Sequence, residues 1–307
     1  MSRFLLFRFL QAIGSLLVLV TVVFFLVRLT GDPVLRMIPP MANDEVVENL
    51  RRKFGLDKSV IVQYLIFLRD AVFGFDLGTS QKYIRPVTYL LSLRIWASLQ
   101  LAAASMLVAL TIALPLGIYS AVRRGSRFDY AARAFSIAGG SVPSFLVGLL
   151  MIRFFAIDLR WFPIAGRDEA LSIVLPALTM GWFASASFMR LTRSSMLEVL
   201  DTEYVKLARI KGVREGLVIW KHALKNALLP VVTYSTVIFA AIVGGAIVVE
   251  TVFAWPGIGK LLVDAVIQRD FPMIQGTVIL IGAIFILINF LTDILYAFLN
   301  PKIRFAR

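Results

Sequence analysis

The sequence predicts an all-α polytopic membrane protein with six transmembrane helices, and three observations lead to this fold class. Of the 307 residues, 59% are apolar and 17% are charged, and the mean hydropathy is +0.83. Soluble domains are about 45–50% apolar and about 25% charged. Six runs lack Asp, Glu, Lys and Arg, and basic residues concentrate in alternate connecting segments. Together these features exclude a soluble globular domain.

Each charge-free run is long enough to cross about 30 Å of hydrocarbon as a helix. A chain exposed to lipid must satisfy its backbone hydrogen bonds internally, which favours helices. The runs are Phe9–Val27, Ile95–Val122, Ala134–Ile152, Ala170–Met189, Asn226–Val249 and Phe271–Thr292.

The distribution of basic residues predicts the orientation. With the N-terminus and C-terminus in the cytoplasm, the inner segments hold seventeen Lys and Arg against five acidic residues. The outer segments hold thirteen of each sign when Arg28 and Arg153, which can extend to the membrane interface, are set apart. This asymmetry follows the positive-inside rule. The net charge of +13 therefore reflects membrane topology, and no nucleic-acid partner is expected.

The first element, residues 1–29, is interpreted as a retained N-terminal transmembrane helix. Its apolar run is longer than the 7–15 residues or so of a signal-peptide core, and no small-residue cleavage site follows it.

Residues 30–94 form an extracytoplasmic segment that is too long for a simple turn. Apolar residues recur there at helical spacing in two groups, and Gly55-Leu-Asp57 separates them. We expect two short amphipathic helices, which either contact a soluble delivery protein or pack over the helix ends. The groups are Val46, Val47, Leu50 and Phe54, then Ile61, Tyr64, Leu65 and Leu68.

Residues 95–307 form a five-helix core whose spans contain helix-disrupting residues. Gly139-Gly140, Ser141 and Pro143 fall within the third run, and Pro115 falls within the second. Proline kinks a helix, which suits either a path that rearranges or an ordinary packed bundle. Ser141 and Pro143 are therefore candidate path or gate residues. Asp293 is a third candidate, with a helix-end ion pair as the alternative.

Several kinds of chemistry lack the residues they need. His222 is the one histidine, and the chain has no cysteine, so no metal site, cofactor site or catalytic constellation is predicted. A G-x-x-x-x-G-K-[ST] loop is absent from the sequence. Transport driven by ATP would thus require a separate subunit to bind the nucleotide, and an intramembrane enzyme is disfavoured.

A charged cytoplasmic segment, residues 190–230, separates the fourth and fifth runs. Asp201 is expected to cap a helix over 202–211, with Glu203 in its first turn and Arg209 in its last, as the helix dipole favours. Gly212 is expected to end this helix in a left-handed conformation.

The same helix carries an apolar face predicted from Tyr204, Leu207 and Ala208. A helix lying on lipid headgroups would present such a face. Because the helix is short and several glutamates accompany it, a docking helix for a soluble protein is the favoured interpretation.

At these residues the chain resembles the permeases of bacterial ABC importers, specifically the B-type subunit of the dipeptide/oligopeptide/nickel family. The resemblance runs along nearly the whole chain. Its motifs are Gly31-Asp-Pro33, Phe54-Gly-Leu-Asp57, Gln63-Tyr64, Asp76-Leu-Gly78, Ala121-Val-Arg-Arg-Gly-Ser126 with Asp129, Ser141-Val-Pro-Ser-Phe145, Leu191-Thr-Arg-Ser-Ser-Met-Leu-Glu198, Tyr204-Val-Lys-Leu-Ala-Arg-Ile-Lys-Gly212, Lys221-His-Ala-Leu-Lys-Asn-Ala-Leu-Leu-Pro-Val-Val-Thr233, Glu250-Thr-Val-Phe-Ala-Trp-Pro-Gly-Ile-Gly259, Arg269-Asp-Phe-Pro272 and Asn300-Pro-Lys-Ile-Arg304.

The broader ABC-permease pattern begins with Glu-Ala-Ala, and only Ala208, Gly212 and Leu224 match it strictly. Lys206 stands where that pattern has its glutamate, so no role of the glutamate is assigned to it.

The resemblance implies a type I ABC importer permease fold and half of a translocation path for di- or oligopeptides. It also implies three kinds of partner: a homologous permease forming a heterodimer, two cytoplasmic ATP-binding subunits and an extracytoplasmic solute-binding protein. The implied coupling residues are Glu203, Tyr204, Leu207, Ala208, Arg209 and Gly212. A glutathione or nickel importer of the same family is the alternative, and a secondary transporter or channel is the alternative from another class.

Overall fold

The structure is a computed structural model that describes residues 2–29 and 57–299, together with 45, 48, 49 and 52. The first predicted amphipathic helix, with Val46, Val47, Leu50 and Phe54, lies outside the described residues. The helices are α1 (Ser2–Leu29), α2 (Val60–Phe73), α3 (Val87–Val122), α4 (Arg127–Ser141), α5 (Ser144–Met151), α6 (Val174–Leu200), α7 (Glu203–Ile210), α8 (Leu224–Gly245), α9 (Ile247–Val252), α10 (Ile258–Gln268) and α11 (Phe271–Leu299).

Some helices are extended by irregular turns. A π-helical segment, Ile152–Asp158, continues α5, and a 3₁₀ turn, Ala170–Ile173, precedes α6. One helical turn, Glu215–Leu217, and a π-helical segment, Val218–Ala223, lead directly into α8. The helix that contains the charge-free run from Asn226 therefore begins earlier, at Glu215.

Five helices of the described chain are long and apolar enough to cross a membrane, and a bent pair makes up to six. The bent pair is Arg127–Ser141 followed by Ser144–Asp158, which meet at 102°. The disruption predicted within the run Ala134–Ile152 is thus present, as a break between two helices. Pro143 explains the break, because its ring disfavours the helical conformation at the preceding residue, and Val142 is extended (φ −89°, ψ 126°).

Helices α3 and α6 pack along most of their length and form the centre of the bundle. Small residues make this close approach possible. A Cβ at Gly181 would lie 2.5 Å from Val108 Cγ1, and a Cβ at Gly117 would lie 2.7 Å from Thr192 Cβ. Larger side chains at these glycines would push the two helices apart.

Helix α1 packs against α11 at the edge of the bundle, and α2 packs against the C-terminal half of α1. Thr21 Oγ1 and Tyr64 Oη lie 2.7 Å apart, and Arg28 Nε donates to Gln63 Oε1 at 3.1 Å. A helix, α2, therefore lies where the second amphipathic helix is predicted, although Ile61 and Leu65 of the predicted apolar group are exposed. We call the end of the bundle that carries α2 the outer end, and the end that carries α7 the inner end.

Candidate functional site

Helix α7 lies at the inner end between α6 and α8. It begins at Glu203, and Thr202 is its N-cap in an extended conformation (φ −73°, ψ 151°). The prediction that Asp201 caps this helix is wrong. Asp201 still has helical backbone angles (φ −88°, ψ 0°) and ends α6, with its N–H donating to Leu197 O. An N-cap residue needs the extended conformation that Thr202 has.

The C-terminal end of α7 has the conformation that the sequence predicts. Gly212 has φ +76°, in the left-handed region. Its N–H donates to Arg209 O at 2.9 Å, and the N–H of Val213 donates to Ala208 O at 3.2 Å. These two bonds form a Schellman motif, in which glycine is favoured because it has no Cβ.

The two faces of α7 differ in exposure. Val205 (0% exposed) and Ala208 (9%) pack among buried residues of α6 and of the segment that leads into α8. Tyr204 (42%), Leu207 (54%) and Ile210 (81%) remain exposed. The predicted grouping of Ala208 with Tyr204 and Leu207 is therefore wrong, because the small Ala208 side chain serves the inward face. The exposed apolar face is Tyr204, Leu207 and Ile210.

Polar contacts fix α7 against the beginning of the fifth span. Tyr204 Oη accepts a hydrogen bond from Asn226 Nδ2 at 2.7 Å and donates to His222 O at 3.4 Å. Arg209 forms a bidentate pair with Glu215, at 2.7 and 3.1 Å. This bond raises the pKa of the Arg209 guanidinium. The Tyr204–Asn226 and Arg209–Glu215 contacts therefore both connect α7 to the segment that follows Gly212.

Sequence reasoning missed the partners Asn226 and Glu215, since they lie 22 and 6 residues from Tyr204 and Arg209. Glu203 bonds Lys206 on the helix surface at 2.9 Å. That exposed pair contributes little to stability.

A buried ion pair between α4 and α6 was also missed. Asp129 on α4 is 1% exposed and accepts from Arg193 on α6, with Nε–Oδ1 at 2.7 Å and Nη2–Oδ2 at 3.0 Å. Ser120 at the end of α3 and the N–H of Gly125 also donate to this carboxylate. The cluster joins α3, α4 and α6 in the half of α6 that leads to α7.

The three candidate path residues do not form one site. Ser141 Oγ donates to Ile137 O within its own helix, and Pro143 occupies the bend between α4 and α5. Asp293 pairs with Arg8 on α1, with Oδ2–Nε at 3.4 Å. The helix-end ion pair, one of the two alternatives for Asp293, matches this contact.

Comparisons with known proteins match this architecture. The family described as "Binding-protein-dependent transport system inner membrane component" matches residues 113–305, and its N-terminal domain matches residues 1–90. The glutathione transport system permease protein GsiC of Pectobacterium atrosepticum is 43% identical over 306 residues, covering 99% of this chain and 100% of the relative. A protein of Brucella suis biovar 1, provisionally named a peptide permease, is 43% identical over 319 residues, covering 99% of each chain.

Among solved structures, an inward-facing conformation of the MetNI methionine ABC transporter matches with a TM-score of 0.59 and 20% identity. The match covers 69% of this chain and 97% of that chain, and it shows a shared fold. The expected fold class and family are confirmed. The chain belongs to the inner-membrane components of binding-protein-dependent transport systems, the permease subunits of ABC importers.

Proposed function

We propose that this permease forms half of the translocation path of a peptide importer and that ATPase subunits dock on α7. The observation that carries this proposal is the exposed apolar face of Tyr204, Leu207 and Ile210 at the inner end of the bundle. Leu217 and Trp220, on the segment that follows, are also exposed. Apolar side chains grouped in this way mark a contact with protein or membrane, and the glutamates beside them, Glu203 and Glu215, favour protein over anionic lipid.

The packing of α7 suits it to transmit a push. Its inward face contacts both α6 and the segment leading into α8, and Tyr204 bonds Asn226. A displacement of α7 therefore moves the fourth and fifth spans together. The Asp129–Arg193 pair extends this connection to α3 and α4. ATP binding between two ATPase subunits would favour the outward-open state by its differential affinity for the two states.

The partners in this proposal are a homologous permease, two ATPase subunits and a solute-binding protein. The sequence has no phosphate-binding loop, so the ATPase subunits hold the nucleotide. Both termini face the cytoplasm, because that orientation places the excess basic residues inside.

The proposed cargo is peptide-like. One relative carries the name of a peptide permease and another that of a glutathione permease, and glutathione is itself a tripeptide. Glutathione is therefore the second candidate cargo. A nickel importer of the same family has less support, since neither of these relatives is named for nickel.

The proposal is tested by uptake into proteoliposomes that contain the complete complex. We expect uptake of a radiolabelled tripeptide or glutathione that requires both ATP and the binding protein. Leu207→Asp should abolish this uptake and release the ATPase subunits during purification, because it places a charge in the apolar contact. Lys206→Ala, on the next residue, is the matched control and should retain both properties. Uptake without ATP, or normal uptake by Leu207→Asp, would contradict the proposal.

A further inference from the structure

We propose that a cavity at the outer end of the bundle is a transient binding site for the charged backbone termini of a peptide-like solute. This inference rests on the proposed function. The cavity has a volume of about 790 Å³, within the roughly 300–1,000 Å³ of small-molecule sites. Its walls include Trp96 and Gln100 on α3, Phe239 on α8, and Arg167, Asp168 and Glu169 on the segment before α6.

The charged groups of the cavity are concentrated on three consecutive residues. Arg167 Nη2 donates to Gln100 Oε1 at 2.5 Å, and the Arg167 guanidinium carbon lies 5.9 Å from the Trp255 ring centroid. These contacts hold the guanidinium over the cavity while leaving other N–H donors for a ligand. A guanidinium matches the planar geometry of a carboxylate, so Arg167 would bind the carboxylate of the solute.

The two acidic residues have different roles in this geometry. Glu169 is held at the turn before α6 by a capping box with Ser172, whose Oγ accepts from the Glu169 N–H at 3.3 Å. Asp168 has no hydrogen bond or ion pair with the residues that the structure describes, and it is exposed at the cavity. Asp168 would therefore accept the ammonium group of the solute. A cation and an anion on adjacent residues suit a zwitterion better than a simple anion.

The remaining walls suit the rest of a peptide. Trp96, Leu99 and Phe239 are apolar and line the same cavity. They would contact the side chains of a short peptide without selecting among them, as apolar surfaces recognise area rather than particular groups. A site of this kind holds many peptides by their common termini.

The position of the cavity connects it to α7 at the opposite end. Ile173, directly before α6, and Phe239 of α8 both line it. Helices α6 and α8 are also both in contact with α7 at the inner end. A relative movement of these two helices therefore changes the cavity and the docking site together. Binding at one end and docking at the other are coupled reciprocally by this arrangement.

The test uses the complete complex in proteoliposomes, with binding protein, ATP and either radiolabelled glutathione or a radiolabelled unblocked tripeptide. We expect Arg167→Gln and Asp168→Asn each to reduce uptake about fivefold or more. Hydrolysis of ATP stimulated by the binding protein should stay within about twofold of wild type. Arg160→Gln, which removes the same charge from the same segment outside the cavity, is the matched control and should transport normally.

Each alternative result overturns a different part of the account. If the wild-type complex transports neither solute, the proposed cargo class is wrong and the site falls with it. If the wild-type complex takes up a solute, and Arg167→Gln and Asp168→Asn take it up as well as Arg160→Gln does, the proposed site is wrong. The proposed function then stands. If the two variants lose stimulated ATP hydrolysis together with uptake, these residues serve the binding-protein contact instead of the solute.

Discussion

Replacing Gly212 by valine should uncouple ATP hydrolysis from uptake. Gly212 has φ +76°, and a Cβ placed on it would meet no atom within 4 Å. The cost of the substitution is therefore conformational and does not arise from a clash. A left-handed conformation costs an L-residue about 1–2 kcal/mol, and branching at Cβ adds to this. The turn can relieve the strain only by giving up the hydrogen bonds that end α7.

Those bonds are the 2.9 Å contact to Arg209 O and the 3.2 Å contact to Ala208 O. A cost of about 1–2 kcal/mol changes the ratio between the native turn and distorted ones by roughly 5- to 30-fold. We expect solute transported per ATP hydrolysed to fall about tenfold in proteoliposomes. Membrane insertion and complex assembly should be unchanged, because Gly212 is exposed and a side chain there meets no atom of the core.

Two controls make this reasoning refutable. Gly212→Asn should keep most of the coupling, because asparagine tolerates the left-handed conformation. Gly78→Val imposes the same kind of strain, with φ +92° and only Pro272 Cβ near the added Cβ, at 3.6 Å, at a position outside α7. It should leave transport per ATP hydrolysed near the wild-type value. Full coupling in Gly212→Val, or equal uncoupling by all three variants, would refute the explanation from turn geometry.

Two further predictions concern the stability of the detergent-solubilised permease in its complex. Asp129→Asn leaves the Arg193 guanidinium with no ionised partner in a buried cluster, and we expect a loss of about 3–5 kcal/mol. Chemical denaturation measures this loss, and an unchanged unfolding midpoint would contradict the assigned role. Gly257→Ala would place a Cβ 2.1 Å from Glu250 Oε1, so it should destabilise the outer end by about 1–3 kcal/mol. Gly216→Ala, where a Cβ meets nothing within 4 Å, should be neutral in the same assay.

The sequence predicted most of the fold because the membrane imposes simple rules on composition. Charge-free runs of sufficient length locate the spans, and the run around Ala134–Ile152 was located correctly. Its 102° bend was not predicted, because apolarity does not report the direction of a helix. Pro143 was recognised as a disruptor, but only the extended conformation of Val142 shows that the helix breaks there.

The candidate site was predicted in part. The left-handed conformation of Gly212 after α7 was predicted correctly. It depends only on residues that are neighbours in the sequence, and glycine is the residue that adopts it most easily. The assignment of Asp201 as a cap failed, because Asp201 and Thr202 are both residue types that cap helices. Helix α6 extends far enough to keep Asp201 in a helical conformation, so Thr202 becomes the cap. The partner of Asp129 lies 64 residues away on another helix. Only the packed bundle reveals such a contact.

The most direct test of the central claim is a cross-link from α7 to the ATPase subunit. The chain has no cysteine, so a single introduced thiol is unique in this subunit. In the complete complex, Leu207→Cys carrying a photoreactive label should cross-link to the ATPase subunit. Leu65→Cys, equally exposed on α2 at the outer end, should not. Labelling of Leu207→Cys without a cross-link to the ATPase subunit would contradict the claim that α7 is the docking helix.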